Sequence, residues 1–329
     1  MDNVVVTGAS GFIGRNLTAA LVRQPCRVRA IVRPGSTGEP AAGVDVRAGH
    51  LADEAFVRSA CEGATHVFHL AGAVAPSSQA HADQVNVELT RRLAAALAGL
   101  ARPPVLIYVS SLAAAGPGDP KRESDPAAPR SCYGRSKLAA ERLLRTYADR
   151  LGITIIRPPG VFGPWDRNLL EMFRAVRWRL NPVVISRRFR YSLVHVADLV
   201  HGLVAAAARG ARLQPAAADS RGLYFLADPV PLSMVELAGH VAAAVGCPAP
   251  VSVPLPAPVC WAIAGAAEAW GWCRRRRTFF NLDKMREATA GSWVCDPTRA
   301  ARELGFAVEA GLPERIVETA GWYRRQGWI

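Results

Sequence analysis

Two residues near the middle of the chain stand at a spacing that suits proton transfer. Tyr133 and Lys137 are four residues apart in the stretch Cys132-Tyr133-Gly134-Arg135-Ser136-Lys137. On a helix that spacing stacks both side chains on one face, a turn apart. A free tyrosine titrates near pH ~10 and is a poor acid–base group at neutrality. An ammonium one turn away favours the phenolate and is expected to lower that pKa, which makes the phenol a usable proton donor and acceptor. Upstream, Ser110-Ser111 ends the apolar run Val105 to Val109, which reads as a strand. A hydroxyl at a strand end can hydrogen-bond the same substrate oxygen as the tyrosine. Tyr-x-x-x-Lys alone is a frequent coincidence on helices, so the surrounding elements decide its meaning.

The first of those elements opens the chain. Asn3 to Val6 is a short β-branched run of the kind that forms a strand covered on both faces. Gly8, Gly11 and Gly14 follow, and a helix is predicted from Phe12 to Val22. Glycines at this spacing make a tight turn, let backbone N–H groups approach a pyrophosphate, and let the helix pack closely on the strand. The helix dipole then points at that phosphate. A second strand, Arg27 to Val32, ends at Arg33. An acidic residue just past this strand accepts hydrogen bonds from a ribose and favours NAD, whereas an arginine meets a 2′-phosphate; Arg33 therefore points to NADP.

Further strands are predicted at Val44 to Ala48, Thr65 to Leu70 and Ile153 to Arg157, with Asp53 capping a helix. A helix from His81 to Leu100 shows an apolar stripe of Val85, Leu89, Leu93, Ala96 and Leu100, and another helix runs from Cys132 to about Arg150. Ala71-Gly72-Ala73 follows the fourth strand, where small residues let a ligand lie against the backbone, while His69 reads as a packed strand-end histidine. This order predicts an α/β fold: a Rossmann-like, doubly wound parallel sheet with a smaller C-terminal substrate-binding lobe.

The 329 residues are half hydrophobic, enough for one large core and a smaller lobe. Net charge is +13, and 37 of the 40 basic residues are arginine. That balance favours anionic partners, but no nucleic-acid recognition motif is present. The seven cysteines are scattered and form no C-x-x-C pair, which argues against a disulfide framework or zinc site and for a reducing compartment. A strand beginning at residue 3 leaves no room for a signal peptide, so the expected location is cytoplasmic.

Taken together and in order, these elements resemble the extended short-chain dehydrogenase/reductases, the NAD-dependent epimerase/dehydratase family. The resemblance rests on Thr7 to Gly14, His69-Leu70-Ala71-Gly72, Asn86-Val87, Ser110-Ser111, Tyr133 to Lys137, Arg157 to Pro164, Val194 to Asp198, and the closing Trp322-Tyr323 and Gly327-Trp328. It implies Ser111, Tyr133 and Lys137 as the catalytic set, Ser111 being chosen over Ser110 because the family's hydroxyl lies about five residues before a glycine like Gly116. It also implies a cofactor site formed by Gly8, Ser10, Gly11, Phe12, Ile13, Gly14, Arg33, Leu51, Leu70, Ala71, Gly72, Asn86, Ser110, Tyr133, Lys137, Pro158 and Val161, with no metal. The family often has Asp after the glycine at the third strand end, to contact adenine; here the pair is Gly49-His50, leaving the backbone of Leu51.

Residues 1–163 with 191–210 are expected to form the dinucleotide domain, and 164–190 with 211–329 the interleaved lobe. Leu112-Ala113 after Ser111 lacks the Asp-Glu of sugar 4,6-dehydratases, and Tyr191 stands where nucleotide-sugar epimerases carry a diphosphate-binding arginine. The chain looks most similar to the branch with 3β-hydroxysteroid dehydrogenases and dihydroflavonol reductases. The expectation is hydride transfer to or from a secondary alcohol or ketone on a hydrophobic substrate. Sugar epimerisation by the same three residues, or a non-catalytic NADP-binding regulator, are the alternatives. Pro258 to Trp272 is apolar except for Glu268, and Arg274 to Arg277 follow. At about 15 residues it is too short to span a bilayer. It reads first as a lid or core helix and second, with 258–277 as a whole, as a peripheral membrane contact. A homodimer through helices 82–100 and 132–150 is expected from the resemblance.

Overall fold

The computed structural model describes residues 1–36, 38–183, 186, 188–215, 219–273 and 282–329. Seven parallel strands form the main sheet: β1 (Asn3–Thr7), β2 (Arg27–Val32), β3 (Asp45–Ala48), β4 (His66–His69), β5 (Val105–Val109), β6 (Ile153–Arg157) and β7 (Leu223–Phe225). Their spatial order is β7-β6-β5-β4-β1-β2-β3. The direction of winding reverses between β1 and β4, which opens a crevice at the C-terminal ends of those two strands. β6 is buried along its whole length, as an apolar strand covered by helices on both faces must be.

Helix α1 (Phe12–Leu21) crosses from β1 to β2 and buries Leu17 and Leu21 on one face of the sheet. On the other face lie α2 (Leu89–Ala98) and the longer helix α4 (Cys132–Arg145), with the one-turn helix α3 (Leu112–Ala115) between β5 and α4. Helix α5 (Val196–Arg209) returns to pack beside α1. The stretch read as one helix over 81–100 contains a π-helical turn at Gln84–Glu88, inserted before α2. Asn86, Thr90, Leu93, Ala94, Ala96 and Leu97 are buried; of the expected stripe Leu93 and Ala96 are among them, Leu89 and Leu100 pack half-buried on the same core, and Val85 is half-buried.

The lobes interleave more than the sequence boundaries suggest. Residues 223–225, assigned by sequence to the smaller lobe, hydrogen-bond to β6 and close the main sheet. Ala300, Leu304 and Phe306, likewise assigned to the lobe, pack in the main core with α5. Conversely Gly118–Lys121, inside the expected loop, pairs with Trp293–Cys295 in a small four-stranded sheet that also holds Arg190–Tyr191 and Leu232–Ser233. Both strand exchanges occur because a short strand gives no periodicity to read, and its partner lies 68 positions away in one case and 175 in the other.

The apolar segment is helix α6 (Ala257–Cys273), followed by α7 (Leu282–Ala288). Arg274 to Arg277 lie outside the described residues. Among the described side chains of α6 only Cys260 and Ala264 are buried, against Met285 of α7, so the reading as a core helix does not hold. Among the described residues, no helix is long and apolar enough to cross a membrane.

Candidate active site

The strand ends at the crevice carry the polar groups. Gly8 turns the chain at φ +71°, and a Cβ there would sit 2.7 Å from the backbone nitrogen of Ala71. Gly14 is closed off more tightly, since its Cβ would meet the Gly8 carbonyl at 2.2 Å. Only glycine allows α1 to begin this close to β1 and β4. Gly11 is the N-cap, yet no side chain caps α1 and no acid lies in its first turn. Its first N–H groups and its dipole are therefore open to an anion, and the residues present fit a dinucleotide pyrophosphate.

Behind the loop, a buried relay fixes β4. The Thr7 hydroxyl and His69 Nδ1 are 2.6 Å apart, and His69 Nε2 and the Thr90 hydroxyl are 3.0 Å apart. Thr90 donates to the Asn86 carbonyl at 2.7 Å, so Nε2 carries the proton and Nδ1 accepts from Thr7. Burial, with the Lys137 charge nearby, pushes His69 down to about 3 and keeps it neutral. Asn86 is fully engaged: its amide pairs with both backbone groups of Ala73 and donates to Ser136 at 2.9 Å. Asn86, expected at the cofactor site, pins the Ala71–Ala73 loop to α4 through its side chain.

The chemistry sits on α3 and α4. Ser111 caps α3, accepting from the Ala113 nitrogen at 3.1 Å. Gly134 lets α4 abut that cap, since a Cβ there would meet the Ala113 carbonyl at 2.3 Å. This contact sets Tyr133 beside Ser111. Burial pushes Tyr133 up to about 12; hydrogen bonding with Ser111 acts the other way, and the Glu287 charge adds to the rise. The expectation that Lys137 lowers this pKa is not met in the chain alone. The Lys137 ammonium turns to the Val109 carbonyl at 2.8 Å and lies 4.7 Å over the Tyr108 ring. Burial brings Lys137 down to about 8, with Glu141 opposing.

One turn further along α4, Glu141 forms a buried two-point ion pair with Arg157 at 2.9 and 2.6 Å. Ser110 donates to the same carboxylate at 2.5 Å. The Ser110 hydroxyl is thus committed away from the crevice, and the free strand-end hydroxyl is Ser111. The sequence did not single out Glu141, although its place four residues after Lys137 is the readable signal.

The other side of Tyr133 is formed by α7. Asp283 accepts from the Cys132 nitrogen at 2.9 Å with both oxygens, and Glu287 accepts from the Ser131 hydroxyl at 2.5 Å. Lys284, paired with Glu287 at 2.8 Å, stands 6.0 Å from the Tyr133 ring centre. No local pattern announces these contacts, which join residues more than 150 positions apart.

The remaining expected contacts are dispersed along the crevice. Phe12 and Ile13 start α1 and lean on the core, and Ser10 lies on the loop itself. Leu70 and Ala71 are half-buried, and Gly72 is exposed beside Lys137, where a Cβ would lie 3.5 Å from the ammonium. Pro158 is buried and its carbonyl accepts from Leu112 at 2.8 Å; Val161 lies half-buried in a strand paired with Leu193–His195. Leu51 is buried, so only its backbone can meet a ligand, and Arg33 is exposed just past β2.

A glycine-lined crevice at the reversal of a parallel sheet, with serine, tyrosine and lysine on the next helix, defines a dinucleotide-dependent enzyme of the extended short-chain dehydrogenase type. A model of the NAD-dependent epimerase/dehydratase family matches residues 4–217, and the chain belongs to that family. It is similar to a ceramide reductase of Caulobacter vibrioides, 30% identical, with 99% of this chain and 96% of that protein aligned. It is also similar to a 3 beta-hydroxysteroid dehydrogenase/Delta 5-->4-isomerase of Mycobacterium tuberculosis, 28% identical over 75% of this chain and 70% of the relative. Among solved structures it resembles MoeE5 in complex with UDP-glucuronic acid and NAD, with a TM-score of 0.75 and 25% identity over 98% of this chain and 99% of the other.

Proposed function

We propose that the protein is an NADP(H)-preferring reductase or dehydrogenase acting on a ketone or secondary alcohol of a hydrophobic, lipid- or sterol-like substrate. The observation that carries the chemistry is the placement of Tyr133 beside the Ser111 cap through the Gly134 contact. In the reducing direction Tyr133 gives its phenolic proton to the carbonyl oxygen while Ser111 hydrogen-bonds that oxygen. Lys137 would hold the nicotinamide ribose with its ammonium and, with the bound cofactor's charge, bring the Tyr133 pKa back down. The nicotinamide, when bound, supplies or accepts the hydride. The pyrophosphate would lie on Gly11 and the start of α1, and Arg33 would meet a 2′-phosphate.

The segment after Ser111 supports a redox rather than a dehydrating reaction, because Leu112 to Ala115 are buried and apolar and offer no second acid–base pair. Epimerisation of a nucleotide sugar is the second reading, favoured by the likeness to MoeE5. Against it, Tyr191 occupies the diphosphate-binding position and the adjacent Arg190 donates to the Pro231 carbonyl at 2.5 Å. The names of the lipid- and steroid-directed relatives support the hydrophobic substrate. We also propose a homodimer through the neighbouring outer helices α2 and α4, checked by light scattering on the eluting protein.

The test is NADPH and NADH binding by the purified chain, then turnover with 3-keto sterols, long-chain keto lipids and UDP-sugars. The proposal expects tighter NADPH binding, reversed by Arg33→Glu, and oxidation of NADPH by a keto lipid or sterol. Tyr133→Phe is expected to lose turnover by ~100-fold or more while still binding the dinucleotide. Bound cofactor that never exchanges, with a UDP-sugar interconverted, would establish the epimerase reading instead.

A further inference from the structure

Helix α6 presents its apolar residues to solvent. Val259, Ala262, Ile263, Ala266 and Trp270 recur at steps of three and four and are all exposed, Ile263 by 47% and Trp270 by 59%. They form one stripe along the helix, with no charge in it. The strand that leads into α6, Val251–Pro254, adds Val251 and Val253 outward, while Ser252 turns in to accept from Asn181 at 3.1 Å. A cavity of about 420 Å³ opens at the flank of α6, lined by Trp261, Arg130, Arg286, Thr289 and Ala290. Helix periodicity puts Trp261 about 160° round α6 from the stripe, so this cavity opens on the α7 side, and the stripe alone faces outward, as a helix lying in a bilayer surface presents its apolar residues.

We propose that α6 docks on an anionic membrane, its stripe entering the headgroup–acyl boundary. The charge of the whole chain, +13, favours the same surface. The inward side of α6 rests on α7, which caps the catalytic helix through Asp283 and Glu287. Docking therefore sets the Tyr133 end of α4 close to the bilayer, the source of a hydrophobic substrate. That last consequence rests on the proposed function; the docking itself does not.

The experiment is co-sedimentation of the full chain with vesicles of phosphatidylglycerol and phosphatidylcholine in equal parts, and with phosphatidylcholine alone, while NADPH binding reports the fold of every variant. The expected result is binding to the mixed vesicles at least tenfold over the neutral ones. Ile263→Glu with Trp270→Glu should abolish it, and raising the salt from about 0.1 M to about 0.5 M should weaken it at least fivefold, since the anionic surface attracts the basic chain. Equal recovery on both vesicles, or variants that bind like the parent, overturns the proposal. So does a lipid-free dimer that Ile263→Glu with Trp270→Glu converts to monomer, which would make a second copy the occupant of the stripe. None of these outcomes depends on turnover, so failure of the reductase reading stays separable.

Discussion

His69 offers a test of the relay that holds the crevice. It is buried and neutral, with a folded-state pKa of about 3 against an ordinary value of 6.5. Its folded pKa lies below the unfolded one, so the unfolded chain takes up a proton between pH 6.5 and 3 that the folded chain refuses. Stability is therefore fully present above 6.5 and is lost as pH falls. At pH 5 an imidazole of pKa 6.5 is protonated about thirty to one, so the unfolded state gains about 2 kcal/mol over the folded one. That figure depends almost wholly on the unfolded pKa: a folded pKa of 3 or 4 gives the same loss. His195, brought down to about 4 mainly by burial, contributes a second loss of similar size. Urea unfolding at pH 7.5 and pH 5.0 is the assay, with His69→Asn alongside. Asparagine places a polar atom where Nδ1 meets Thr7, falls short of the Thr90 hydroxyl, and does not titrate. Between the two pH values His69→Asn should lose about 2 kcal/mol less than the parent. An equal loss in both proteins would refute the assignment of a buried neutral imidazole between these threonines.

Two further outcomes follow from contacts already described. Gly14→Ala drives a methyl to 2.2 Å from the Gly8 carbonyl, a backbone atom that cannot step aside. It should cost about 1–3 kcal/mol and abolish the stabilisation that added dinucleotide gives in a thermal shift. Glu141→Ala leaves the Arg157 guanidinium buried without its anion and should cost about 3–5 kcal/mol in chemical denaturation. Adding Arg157→Met should recover much of that loss, because the uncompensated charge is gone; no recovery would mean that the pair itself is not the source.

The parts of the site that are local in sequence were legible, and those that depend on distant segments were not. The glycine loop, β1, α1 and the Tyr133–Lys137 turn can be read directly, because each is defined by a period or a turn within a dozen residues. Asp53 and Ser233 are also where a capping pattern places them, Ser233 with the reciprocal Glu236 bond. The burial of Asn86 was not legible because it lies in a π turn, and no residue type marks that turn in advance. Ser110 and Ser111 are equivalent as letters; the spacing to Gly116 favours Ser111, and the Ser110 bond to Glu141 shows where the other hydroxyl goes. The rise in the Tyr133 pKa was hidden. The buried surroundings and Glu287 come from segments far along the chain, while the lysine ammonium turns to a carbonyl rather than to the phenol. Helix α6 shows the converse, an apolar run whose composition suits a core but whose packing leaves most of it outside.

The cap on the catalytic helix also carries a consequence for how activity is acquired during synthesis. Chains emerge from the ribosome N-terminus first, and the parallel sheet is complete once Phe225 is out. From that moment a nascent chain has its glycine loop, while the core face under α5 stays open until Ala300, Leu304 and Phe306 follow. Asp283 and Glu287, which secure the first turn under Tyr133, arrive some sixty residues later. The glycine loop and the cap on the Tyr133 turn are thus built at different times, and a product ending between the two would carry the loop without the cap.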